Sequence, residues 1–250
     1  VERGEFDKIA SYAAKVGYRC DYASMLSRLC GTQPQAALEF AKQLAAGSLI
    51  DINSVVDLFM SQSRVQETTA FLLEALKGNK PEEGYLQTKL LEINLRGGSP
   101  QVADAILQNN MFSHYDRQYV AKLCEAAGLA QRALEHYTDV DDIKRSLINM
   151  VSTSQRGGGQ LNVEFVLSYF GSLSPEASVA CMKELLQRDS RSNVRLCAQI
   201  AAKYSEQIGS EKLIELFESF TLYDGVFFYL GSFLVATNIA FYYQIFASGC

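Results

Sequence analysis

Apolar and small residues recur along this chain at three- and four-residue intervals, broken roughly every fifteen residues by glycine, proline or a short polar run. Val120, Leu123, Cys124 and Ala127 fall at i, i+3, i+4 and i+7, and after Gly128 the residues Ala130, Ala133, Leu134 and Tyr137 repeat the spacing. Each half has one face to bury, and Gly128 can adopt the left-handed conformation that ends the first helix and turns the chain into the second. Helices this short are marginal alone in water, so each stripe needs a neighbour to cover it.

The same pattern predicts helices from end to end: 6–16, 21–30, 34–46, 52–61, 65–77, 85–96, 100–108, 115–127, 129–138 and 140–150, then 162–170, 175–188, 191–207, 211–220 and a last pair after Tyr223. Gly17, Gly31, Gly47, Gly78 and the pair Gly97 and Gly98 read as stops. Pro34, Pro100 and Pro175 stand where a first helical turn should begin, with Ser99 and Ser174 as caps before two of them. Two-residue alternation is nowhere sustained, so the predicted class is all-α. Gly17, Gly128 and Gly209 are each preceded by Ala seven residues back (Ala10, Ala121, Ala202) and by a large residue five back (Tyr12, Leu123, Tyr204), at unequal separations. An irregular α-solenoid of stacked antiparallel helical hairpins follows, one segment over 1–250 with a flexible glycine-rich connector at 152–160.

Composition narrows the function classes. The formal charge of −5 argues against a general binder of nucleic acid, whose affinity comes from clustered Lys and Arg. Cys20, Cys30, Cys124, Cys181, Cys197 and Cys250 show no CxxC spacing and fit reduced thiols of a cytoplasmic protein. The sequence opens on Val1 rather than Met, as a piece of a longer chain would. From Gly225 to Cys250 no residue is charged, yet Gly231, Thr237, Asn238 and Gln244 interrupt the run and no Lys or Arg flanks it. A buried terminal hairpin is expected there rather than direct membrane insertion.

Candidate chemistry is sparse. His114 and His136 are the only histidines, one in a connector and one beside a buried tyrosine, and both read as ordinary surface or interhelix histidines. Asp139, Asp141 and Asp142 lack the glycine and distal glutamate of a calcium loop and read as helix-start acids with Lys144 and Arg145 as partners. Ser154–Gln160, SQRGGGQ, lacks the Lys-Ser/Thr of a phosphate loop. Arg188, Arg191 and Arg195 form a small basic cluster that could meet an acidic surface. No enzyme is expected, no catalytic, cofactor or metal residue is assigned, and binding residues stay unnamed.

Four long runs carry a resemblance: VERGEFDKIASYAAKVGY at 1–18, QVADAILQNNMFSHYDRQYVAKLCEAAGLAQRALEHYTDVDDIKR at 101–145, SYFGSLSPEAS at 168–178 and AAKYSEQIGSEKLIELFESF at 201–220. The chain resembles the clathrin heavy chain over nearly its whole length, least from Cys20 to Leu49 and after Val235. The resemblance implies a distal, ankle-side segment of a scaffold leg, on the cytosolic face of coated pits and vesicles, that helps build a lattice in endocytosis and vesicle transport. It implies other heavy chain legs as partners, auxilin-like uncoating factors near the ankle, and light chains only on a segment absent here. The glycine-rich connector and the uncharged end depart from the family pattern. A tetratricopeptide-like peptide-binding adaptor is the alternative, suggested by AGLAQRALEHY, although the 34-residue period of that repeat is missing.

Overall fold

A computed structural model describes residues 20–155 and 161–231, with Lys8, Tyr12, Lys15 and Val16 ahead of them. The expected helix at 6–16, Gly17, the glycines of 156–160 and the hairpin beyond residue 231 therefore lie mostly or wholly outside the described residues. Among the described residues there is no strand.

Two units are described separately, Val1–His136 and Tyr137–Cys250. In the first, α1 (Tyr22–Thr32), α2 (Pro34–Ala46), α3 (Ile52–Ser61), α4 (Val65–Ala75), α5 (Gly84–Arg96), α6 (Pro100–Gln108), α7 (Arg117–Ala126) and α8 (Ala130–His136) follow one another, with a single 3-10 turn at Pro81–Glu83 before α5. In the second come α9 (Val140–Gln155), α10 (Val163–Phe170), α11 (Pro175–Arg188), α12 (Ser190–Lys203), the single-turn α13 (Ser205–Ile208) and α14 (Ser210–Ser219), then a helical stretch at 223–231.

The helices start where short polar side chains satisfy the free amides of a first turn. Carboxylates of Asp21, Asp51, Asp116 and Asp189 accept from the backbone N–H three residues on, at 2.9–3.1 Å, and Asn162 and Ser174 do the same. Pro34, Pro100 and Pro175 occupy first turns as expected, but Ser99 holds its position without a side-chain cap bond.

The packing is local in sequence. Within each unit the substantial partners of a helix are the next one or two along: α2 lies against α1 and α4, α5 against α4, α6 and α7, and α8 against α7. In the second unit α11 lies against α9 and α12 and reaches α14 past the short α13. Core side chains come from every helix in turn, among them Leu26, Phe40, Phe59, Phe71, Leu90 and Ala103 in the first unit and Leu147, Phe170, Met182, Cys197 and Phe217 in the second. These are stacked helical hairpins of an α-solenoid, as the stripes predict.

Several boundaries differ from the sequence reading. Gly31 does not stop α1, which runs to Thr32; the position is open, with no atom within 4 Å of where a Cβ would stand. Gly47 and Gly78 are displaced by one residue from the left-handed position of their turns, which Ser48 and Asn79 take, whereas in the Gly97–Gly98 stop Gly98 supplies it with φ +82°. Gly128 (φ +81°) does end α7: Gly128 N–H donates to Glu125 O and Leu129 N–H to Cys124 O. The predicted 191–207 helix is broken at Tyr204 into α12 and α13. α9 continues through Gln155, into the stretch 152–160 expected as connector, because Gln155 donates to Asn193 Oδ1 at 2.8 Å and ties that last turn to α12.

Candidate functional site

Among the described residues a cleft of about 390 Å³ opens at the α7–α8 hairpin, lined by Phe112, Ser113, Tyr115, Arg117, Arg132 and His136. Arg132 and His136 share one face of α8 because they are four residues apart, and Tyr115 arrives from the connector that Asp116 caps into α7. His136 Nδ1 lies 2.7 Å from the Arg132 carbonyl, which can only accept, so Nδ1 carries the proton. Nε2 then accepts from the Tyr115 hydroxyl at 2.7 Å. Burial pushes the His136 imidazole below its ordinary value and the Tyr115 phenol above its own, which keeps both neutral. Arg132 donates to Asp104 at 2.6 Å and to Glu135 at 2.9 Å, linking α8 to α6.

Chemically this cleft is closed. Both ring nitrogens of His136 are engaged, the guanidinium of Arg132 is neutralised by two carboxylates, and the hydroxyl of Ser113, which lines the cleft, accepts from Asn79 Nδ2 at 3.1 Å. Its groups tie α6, the connector before α7 and α8 together. His114 is exposed and does not line the cleft; its backbone N–H donates to Gln87 Oε1 at 2.9 Å.

The other sequence candidates fall into place by the same bookkeeping. Asp139 caps α9 by accepting from the amides of Asp141 and Asp142, while Asp141 pairs with Lys144 at 2.6 Å and Asp142 with Arg145. Among the described residues no group of acidic, histidine or cysteine side chains could hold a metal ion. Cys30, Cys124, Cys181 and Cys197 are buried, and burial pushes the thiols of Cys124 and Cys197 up to about 12 and that of Cys181 to about 11. Such thiols are not nucleophiles at neutral pH. No described helix is long and apolar enough to cross a membrane. The glycines of SQRGGGQ lie outside the described residues.

What remains is surface. Arg188 ends α11, Arg191 and Arg195 lie one turn apart on α12, and all three are exposed without an ion pair among the described residues. Sequence reasoning missed a second strip: Glu211, Glu215 and Glu218 are exposed on one face of α14 and likewise unpaired. Their i, i+4, i+7 spacing was the available signal.

Comparison with known proteins agrees with the fold. A family model described as a region in clathrin and VPS matches residues 45–193. The chain is similar to the clathrin heavy chain of Drosophila melanogaster, 51% identical over 233 residues that cover 92% of this chain. It is also similar to clathrin heavy chain 2 of Homo sapiens, 49% identical over 92% of the chain, and to the Dictyostelium discoideum heavy chain, 46% identical over 95%. It spans 13–14% of the length of these relatives.

Proposed function

We infer a role from one premise: this chain belongs to the clathrin family, as a segment of a heavy chain. It is a length of scaffold leg in a vesicle coat, and it contributes to lattice assembly in endocytosis and intracellular transport. Its chemistry is contact rather than turnover. The observation that carries the reading is the division of the helices between an apolar stripe, covered by sequence neighbours, and a mainly polar outer face left free for many weak contacts. Similarity to heavy chains over more than nine-tenths of the chain favours this role over the tetratricopeptide-like adaptor.

Within that reading the segment stands on the ankle side of the leg, on the cytosolic face of coated pits and vesicles. Its partners are other heavy chain legs and, near the ankle, auxilin-like uncoating factors. The test is to tag the chain that carries this segment, isolate coated vesicles and locate the tag by immunoelectron microscopy. The tag is expected in the lattice on the vesicle's outer surface. A chain found only in the fraction without coats refutes the assignment.

A further inference from the structure

The two unpaired strips of the second unit match each other. On α12, Arg191 and Arg195 are four residues apart and so about 6 Å along the helix, on the same face. On α14, Glu211 and Glu215 have the same separation. Arg188, in the last turn of α11, extends the positive strip, and Glu218 extends the negative one. None of the six forms an ion pair within the chain among the described residues. Other surface cations are paired within their own helix, Lys42 with Glu39, Lys77 with Glu74, Arg96 with Glu92, Lys144 with Asp141 and Arg145 with Asp142, while Arg28, Lys122 and Lys183 are exposed outside the strip without an ion pair among the described residues.

Asp189 is the acid nearest the arginines in sequence and its charge reaches Arg191, but its carboxylate oxygens are bonded within the α12 cap. It accepts from Ser192 N–H at 3.1 Å and from the Ser192 hydroxyl at 2.7 Å. Within 188–195 no large apolar side chain is exposed, so the strip offers charge and not an apolar anchor.

We propose that the arginine strip at the α11–α12 junction docks onto the glutamate strip of α14 on a second copy of this chain, Arg191 and Arg195 facing Glu211 and Glu215. Guanidinium groups suit this task because they engage carboxylates through paired N–H donors. Because each copy carries both strips, the contact can be made reciprocally between two copies or passed on from one copy to the next. This rests on the coat reading above, and names the surface through which one leg segment meets another. Exposed pairs are individually weak and are screened over about 8 Å at physiological salt, so the contact is reversible and salt-sensitive.

The test uses the whole heavy chain in which this segment stands, with assembly followed by sedimentation and light scattering at low and physiological salt. The reversals R191E/R195E and E211R/E215R are each expected to raise the concentration needed for assembly by about fivefold. The four substitutions together are expected to restore it, with circular dichroism unchanged throughout. Unaltered assembly by either double variant overturns the proposal and leaves the coat reading intact. Impairment by both without restoration in the quadruple variant overturns the pairing. Failure of the unsubstituted chain to assemble under any salt condition removes the coat reading, and this proposal with it.

Discussion

Gly84→Ala is expected to destabilise the first unit although helix propensity alone argues the reverse. Gly84 opens α5 with φ −55°, an ordinary helical conformation, so alanine there would gain about 1 kcal/mol on propensity. A Cβ at that position, however, would stand 2.5 Å from the His114 carbonyl oxygen and 3.3 Å from its carbon. The obstacle is backbone, so the 113–116 connector must shift. That connector is held by four bonds: Ser113 N–H to Asn79 Oδ1 at 3.1 Å, Asn79 Nδ2 to Ser113 Oγ at 3.1 Å, His114 N–H to Gln87 Oε1 at 2.9 Å, and Asp116 N–H to Thr88 Oγ1 at 2.9 Å. Gln87 is fully buried, so an oxygen deprived of its donor there stays unsatisfied. Overpacking costs about 1–3 kcal/mol and the loss of one or two such bonds about 1 kcal/mol each. Against the propensity gain the net loss is about 2 kcal/mol, equivalent to a fall in Tm of about 4–8 °C in a chain of this size. Urea denaturation followed by circular dichroism reads the first quantity and a thermal scan the second. Hydrogen exchange should localise the loss to amides 113, 114 and 116. A variant as stable as the parent, or more so, would show that the close approach of α5 to this connector is not a constraint.

Four further outcomes follow from other parts of the structure. Because burial holds the His136 value below that of the unfolded chain, the unfolded state binds the extra proton, and stability falls as pH drops through about 6.5; His136→Gln should flatten that limb of a pH–stability profile. Gly128→Ala should cost about 1 kcal/mol through its positive φ alone, since no atom lies within 4 Å of its Cβ position, and denaturation midpoints will show a smaller loss than at Gly84. Thr69→Val removes the hydroxyl bonded to the buried Asn94 side chain amide at 3.0 Å, and should lower the unfolding free energy by about 1–3 kcal/mol. Maleimide labelling read by mass spectrometry should modify the part-exposed Cys20 in the native chain and reach Cys124, Cys181 and Cys197 only after denaturation.

The fold class was legible because helical periodicity and short connectors are local properties of the sequence. Where the reading slipped, a tertiary or stereochemical term decided. Gly47 looked like the left-handed residue of its turn, yet Ser48 takes φ +52° and Leu49 N–H reaches back to Leu44 O. Glycine adopts that conformation most readily, but Ser48 and Asn79 adopt it here. Arg188, Arg191 and Arg195 were legible as a cluster, but that they are unpaired follows only from the placement of neighbouring acids. The Tyr115–His136 bond joins residues far apart in sequence, and no spacing rule connects a connector tyrosine to a helix-end histidine. Glu211, Glu215 and Glu218 had a readable spacing and were passed over because an acidic stripe without a counterpart looks like ordinary solvated surface.

The sequence-neighbour packing of α1 through α8 also bears on synthesis. A helix whose partners are its immediate predecessors can be covered as it leaves the ribosome, without waiting for a distant element still to be translated. For this unit, nascent chains arrested at successive connectors should gain protease resistance one hairpin at a time, in the order in which they emerge.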